Sequence, residues 1–224
     1  MKRSEINAAI RALLAAAAEH GFHLPPFAHW TPEDWKQRGA EYDEVRTAGL
    51  GWDVTDFGKG EFARFGLTLF TIRNGVPGGA GKSYCEKLML VRPGQMTPMH
   101  FHWQKTEDII NRGGGRLICE VHMANERDGL SARSVPLSMD GRALEVPAGT
   151  TLALDPGQSV TLTPRLYHAF WAEPDGEGVL LGEVSTVNDD RHDNRFLEPL
   201  PRYPHAVEDE PPFRLLCHEY PPAA

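Results

Sequence analysis

Cysteine is scarce in this 224-residue chain: Cys85, Cys119 and Cys217 are odd in number, widely spaced and form no C-x-x-C pair. That argues against a disulfide framework or a cysteine zinc site, and fits a reducing compartment with small buried thiols. Basic blocks are missing as well. Twenty-three Lys and Arg stand against 31 Asp and Glu, a formal net charge of −8, which disfavours tracking of a nucleic-acid backbone. No apolar run approaches the roughly 18 residues that a membrane-crossing helix needs. Internal repeats and a separate linker are also absent. The alanine-rich start, "MKRSEINAAIRALLAAAAEHG", is interrupted by Glu5, Arg11 and Glu19. It reads as an amphipathic helix over about 4–20, with Ser4 as N-cap and Gly21 as stop, rather than as a signal peptide. A cytoplasmic protein is expected. What remains, 41% hydrophobic and 24% charged, is enough for a sizeable core.

The chain changes character near residue 60. Before it, a second helix is opened by "TPEDW", with Thr31 as cap and Pro32 at the first helical position. After it come short β-rich runs such as "FARFGLTLFTIRNG", "KSYCEKLMLVRPG", "RLICEVHMAN" and "GVLLGEVSTV". Turn clusters of Gly, Pro and Asp separate them at the spacing of a sandwich or barrel, and no helix-length pattern alternates with them. The reading is one all-β domain: a helical N-terminal cap over 1–59, a barrel core over 60–188, and a wrapping tail over 189–224. A short extra strand is expected in that tail around "FRLLCHEY".

The chemistry concentrates in "MHFHWQKTEDIINRGGG", residues 99–115. His100 and His102, two apart on a strand, project to one face. Glu107 lies an odd number of residues beyond, and returns to that face only if "WQKT" turns the chain. Two imidazoles and a carboxylate meeting this way suit a first-row divalent metal. The best fourth ligand is His168 in "LTPRLYHAFW", a later β run among apolar neighbours. Mixed nitrogen and oxygen donors leave Mn, Fe, Co, Ni and Zn open.

Gly94, His100, His102, Glu107 and Gly114 resemble the first cupin motif in full. The second is half matched by Pro164 and His168, with Leu166 where a glycine is usual. Within the cupins, "GFHLPPFAHWTPEDW", "MHFHWQKTEDIINRGGG" and "NDDRHDNRF" resemble the D-lyxose isomerase family over nearly the full chain. The resemblance implies a double-stranded β-helix (jelly-roll) barrel. It also implies a Mn2+-dependent aldose–ketose isomerase interconverting D-lyxose and D-xylulose, with tolerance for D-mannose and D-fructose, and a homodimer. By position, the family's metal ligands fall on His100, His102, Glu107 and His168.

Such an isomerisation moves a proton between C1 and C2 and stabilises an enediolate oxygen. Lys105, in the turn before Glu107, is placed to hold or protonate an oxygen. Glu183, a carboxylate inside an apolar β run where an unpaired charge is costly, is the leading general base. Asp190 and Arg191 are candidates to close the pocket on sugar hydroxyls, and Trp103 and Phe170, beside the ligands, to contact the sugar. Glu120 and His122 alternate on one face of a strand as minor candidates, and the Trp30 and Trp35 pair reads as structural. Two other classes compete: an Fe(II) cupin dioxygenase and a non-catalytic sugar-binding cupin.

Overall fold

The computed structural model describes residues 1–200 and 206–224. It opens with helix α1 (Arg3–Glu19) and two shorter helices, α2 (Pro32–Trp35) and α3 (Asp43–Thr47). Thr31 caps α2 as expected, its hydroxyl accepting from the Asp34 N–H at 3.1 Å. Ser4 does not cap α1. The helix starts one residue earlier, and Ser4 instead gives its N–H and hydroxyl to Asp209 of the tail, at 2.9 and 2.7 Å. A tail carboxylate thus satisfies a donor that the first helical turn leaves without an intrahelical partner.

Two antiparallel sheets make up the body. The larger runs β1 (Gly51–Thr55), β2 (Leu67–Arg73), β3 (Tyr84–Val91), β12 (Val179–Thr186), β5 (Glu107–Gly114), β10 (Ser159–Leu162), β7 (Val135–Met139), β8 (Arg142–Val146). The smaller runs β13 (Asn194–Phe196), β4 (Met96–His102), β11 (Leu166–Ala172), β6 (Leu117–Met123), β9 (Thr150–Leu154). The sheet therefore begins at Gly51, inside the stretch read as helical cap. The tail does add a strand, but at Asn194–Phe196 rather than around "FRLLCHEY". There the chain makes an isolated bridge from Leu216 to Trp52, with the Cys217 N–H on the Trp52 carbonyl at 2.7 Å. Prolines on both sides of that segment cannot donate to a ladder.

Burial explains the runs that did not alternate. Leu67 and Leu69 of β2, Met89 and Val91 of β3, and Val179 and Leu181 of β12 join the core between the sheets. Phe70, Ile72, Leu88, Leu90 and Leu180, on the opposite face, pack under Ile6, Ile10 and Leu13 of α1. Strand β6 has no such cover. Leu117, Cys119 and Val121 face the core, while Glu120 and His122 face outward and pair at 2.8 Å. Burial pushes the Cys85 and Cys119 thiols up to about 12, so both stay protonated.

The glycine run at the end of β5 has a packing reason. Gly114 has φ +89°, and a Cβ there would collide with the Gly178 carbonyl at the start of β12. The tail fastens the N-terminal helix: Arg3 reaches Glu208 at 2.6 Å and Glu219 at 2.5 Å, and Asn7 donates to Glu210 at 2.6 Å. Tyr220 stacks on Trp35 at 3.9 Å, and Trp30 meets Trp35 edge-on at 5.0 Å, a structural cluster as expected. The expected wrapping at 201–205 falls outside the described residues. Among the described residues, no helix is long and apolar enough to cross a membrane.

Candidate active site and metal centre

Each sheet contributes one wall. On the smaller sheet, β4 places His100 and His102 on one face, and antiparallel pairing sets His168 of β11 directly opposite His100. Residues opposite each other in a ladder point the same way, so three imidazoles converge. Their ligand atoms lie within 4.8 Å of one another, and all three side chains are buried. The "WQKT" turn then carries the chain across to the larger sheet. Glu107 starts β5 there, facing the imidazoles from the opposite wall.

Backbone carbonyls decide which ring nitrogens are free. His100 Nδ1 is 2.7 Å from the Pro98 carbonyl, and His168 Nδ1 is 3.0 Å from the Leu166 carbonyl. A carbonyl only accepts, so each Nδ1 carries the hydrogen and the neutral ring presents a bare Nε2 to the cavity. Both nitrogens of His102 and Nε2 of His168 are buried without a hydrogen bond. Burial, then the neighbouring His168 and His102, hold His100 well below the ordinary imidazole value. Burial, then the Lys105 charge, lowers His102.

Glu107 Oε1 sits 3.1 Å from His168 Nε2 and 3.3 Å from His102 Nε2. Two lone-pair acceptors that close repel unless a cation lies between them. The donor set, three imidazoles and a carboxylate, is the one a first-row divalent ion takes, so the residues fit such a metal. His100, His102, His168 and Glu107 are the groups that could hold it.

The larger sheet supplies charge. Lys105 Nζ is 2.6 Å from Glu107 Oε2 and 3.0 Å from Glu183 Oε1. A second ammonium, Lys87 on β3, bonds both Glu183 oxygens at 3.1 and 3.2 Å and Asn188 Oδ1 at 2.8 Å. The register places Lys87 directly opposite Glu183. Burial opposes every one of these charges. Glu107, Glu183 and Asp190 nevertheless outweigh it and raise Lys105. Lys105 and Lys87 likewise keep Glu183 below the usual carboxylate range. Glu107 is held well below that range by Lys105 and then His102, against burial.

The walls face each other across a small, partly open cavity. His100, His102, Lys105, Glu107, Glu183, Asp190 and Phe170 all line it. His168 packs beside His100, the two rings 4.1 Å apart. Two candidates do not line this cavity. Trp103, one residue out of phase with His102, sits 38% exposed on the outer side of β4, edge-on to Phe101 at 4.8 Å. Arg191 is exposed and lines a neighbouring groove, its backbone N–H donating to the Asp189 carboxylate at 3.1 Å. In both cases strand or turn phase, rather than nearness in sequence, sets the direction.

Sequence reasoning missed Lys87, Asn188, Asp193 and Thr97. Lys87 carried a weaker signal than Glu183, because Glu86 stands beside it in an otherwise apolar strand. Asp193 accepts from the Gln104 and Lys105 N–H groups at 2.7 and 3.0 Å, fixing the turn that presents Lys105. Thr97 had no legible signal. It lies three residues before His100, and strand alternation would turn it away. A bulge at Pro98 and Met99 intervenes: His168 pairs with His100 but Phe170 pairs with Thr97. That extra residue brings Thr97 onto the imidazole face.

The fold and site together define a cupin-type two-sheet barrel whose cavity sets a potential metal-binding face against a buried lysine–glutamate network. The sequence matches the D-lyxose isomerase family over residues 1–220, and the chain belongs to that family of sugar isomerases. It is 54% identical to the D-lyxose/D-mannose isomerase of Serratia proteamaculans and 51% identical to that of Escherichia coli O157:H7, covering 98% of each chain in both cases. Among solved structures, the L-ribose isomerase of Geodermatophilus obscurus shares the fold with a TM-score of 0.57 at 20% identity, over 88% of this chain and 92% of that one. The enzyme of the same description from Cellulomonas parahominis gives 0.55 at 20%, over 88% and 92%.

Proposed function

We propose that this protein is a metal-dependent aldose–ketose isomerase that interconverts D-lyxose with D-xylulose and D-mannose with D-fructose. One observation carries the reading: within a member of this family, bare imidazole nitrogens and an ionised Lys105–Glu183 pair face the same cavity. A divalent ion held by His100, His102, His168 and Glu107, Mn2+ in the first instance and Co2+, Fe2+, Ni2+ or Zn2+ as substitutes, would polarise the sugar carbonyl and neutralise developing oxyanion charge.

The remaining work falls to the chain. Glu183, kept ionised by its two lysines, takes the proton from C2 of the aldose and returns it to C1, and one proton passes from O2 to O1. Lys105, kept cationic by Glu107 and Glu183, offers its ammonium to the oxygen on which negative charge grows. Asp190 binds a sugar hydroxyl, and Phe170 closes one side of the cavity against water. The family resemblance extends the proposal to a homodimer acting in the cytoplasm.

Chelator-stripped protein, reloaded with each metal singly and given a panel of aldoses, tests this reading. Ketose formation restored first by Mn2+ and fastest from D-lyxose is expected, with deuterium from heavy water appearing at the product carbon. Oxygen uptake with Fe2+ and no ketose would instead mark an oxygenase. Sedimentation of the native protein tests the dimer.

A further inference from the structure

Most polar groups of the cavity are already committed. Lys87, Lys105, Glu107 and Glu183 bond one another, His100 Nδ1 is held by the Pro98 carbonyl, and Asn194 reaches Asp190 at 3.4 Å. Thr97 is different. It lines the cavity, is 3% exposed, and its Oγ1 has no hydrogen-bond partner. Its ladder neighbour on the same face is Phe170, and Leu67 and Leu69 line the cavity with it. A hydroxyl left unsatisfied among apolar side chains costs stability, and a valine of the same shape would not carry that cost.

We propose that Thr97 is a specificity-determining residue: its hydroxyl exchanges a hydrogen bond with a sugar hydroxyl beyond the reacting C1–C2 pair. The proposal rests on the isomerase reading and adds where the far end of the sugar lies. His100 and Thr97 stand on one strand face, separated by about 7–10 Å for three residues with a bulge. An open five-carbon chain with its reacting end at the imidazoles and one hydrogen bond at its far end spans a comparable length. The contacted group is therefore the hydroxyl at C4 or C5. A site built to bond a hydroxyl rejects an analogue lacking it, because the protein partner is then left unpaired. The bulge at Pro98 and Met99 is what makes this contact available.

The test compares wild type, Thr97→Val and Thr97→Ser in the metal-loaded enzyme. With D-lyxose, Thr97→Val is expected to lose about tenfold in kcat/KM, mostly through KM, while Thr97→Ser keeps most of the activity. Against the 4-deoxy or the 5-deoxy sugar, whichever lacks the contacted group, the valine penalty should vanish. Without sugar, Thr97→Val should melt at or above the wild-type temperature, as removal of an orphaned hydroxyl predicts. Calorimetric binding of an open-chain pentitol and its monodeoxy analogues reads the same contact without turnover. Equal efficiency of Thr97→Val and wild type, an equal loss against every analogue, or a lower melting point would overturn the assignment. Wild-type enzyme that binds the pentitol through Thr97 but forms no ketose would sink the isomerase reading and leave this one standing.

Discussion

The two walls of the cavity solve the problem of buried polar groups in opposite ways. The smaller sheet buries His100, His102 and His168 uncharged, with two of the rings locked by carbonyls of their own strands. The larger sheet buries Lys87, Lys105, Glu107 and Glu183 charged, as two cations against two anions. Neutral rings with bare nitrogens are incomplete until a cation arrives, whereas the ionic wall already balances itself. On the proposed reading, metal capture rests mainly on the imidazole sheet, with Glu107 reaching across, and proton handling on the other, and substitutions should separate them.

Breaking the imidazole wall should have the largest effect. His100→Ala or His168→Ala is expected to reduce ketose formation to background and to lose bound metal, measured by elemental analysis of the purified protein. The fold should persist by circular dichroism, because the core between the sheets does not depend on those rings. On the ionic wall, Glu183→Gln should keep metal content at the wild-type level and lower kcat by about 10²- to 10⁴-fold, the range of general-base loss. Metal loss in Glu183→Gln would erase the division between the walls.

A smaller effect should follow from unbalancing the ionic wall. Lys87→Met leaves Glu183 with Lys105 as its partner, so the destabilisation should fall near the low end of the about 3–5 kcal/mol seen when a buried pair is broken. Denaturant melts measure it, and a paired Lys87→Met/Glu183→Gln variant should recover part of the loss. Outside both walls, Trp103→Ala should leave kcat/KM within about twofold and cost about 1 kcal/mol of stability through lost packing on Phe101.

The smallest effect belongs to the helix latch. The Ser4 contact and the Arg3 contact hold Asp209 and Glu208 below their ordinary values of 3.8 and 4.5. A carboxylate titrating lower when folded adds stability that is fully present above its unfolded value and fades as pH falls through the folded one. Glu208→Gln should therefore melt slightly below wild type at pH 7, and the gap should narrow as pH falls below 4.5 and close once the folded carboxylate itself is protonated.

Much of this was legible before any coordinates. H-x-H on a strand, an acid five residues beyond and a glycine frame constrain a metal-binding geometry, and Glu183 betrays itself as a lone charge in an apolar run. Trp103 misled because nearness in sequence is not nearness in space: on a strand the next residue faces the other way. Arg191 lines the neighbouring groove, whereas Asp190 beside it lines the cavity as well.

The sequence by itself determined the β-rich order, the ligand spacing and the membership of the family, because those depend on periodicity and on residue types a few positions apart. Tertiary structure alone decided which acids meet which lysines across the sheets, and that Thr97 looks inward. Both follow from register: one inserted residue in a ladder exchanges the faces of everything before it, and no local pattern records that insertion.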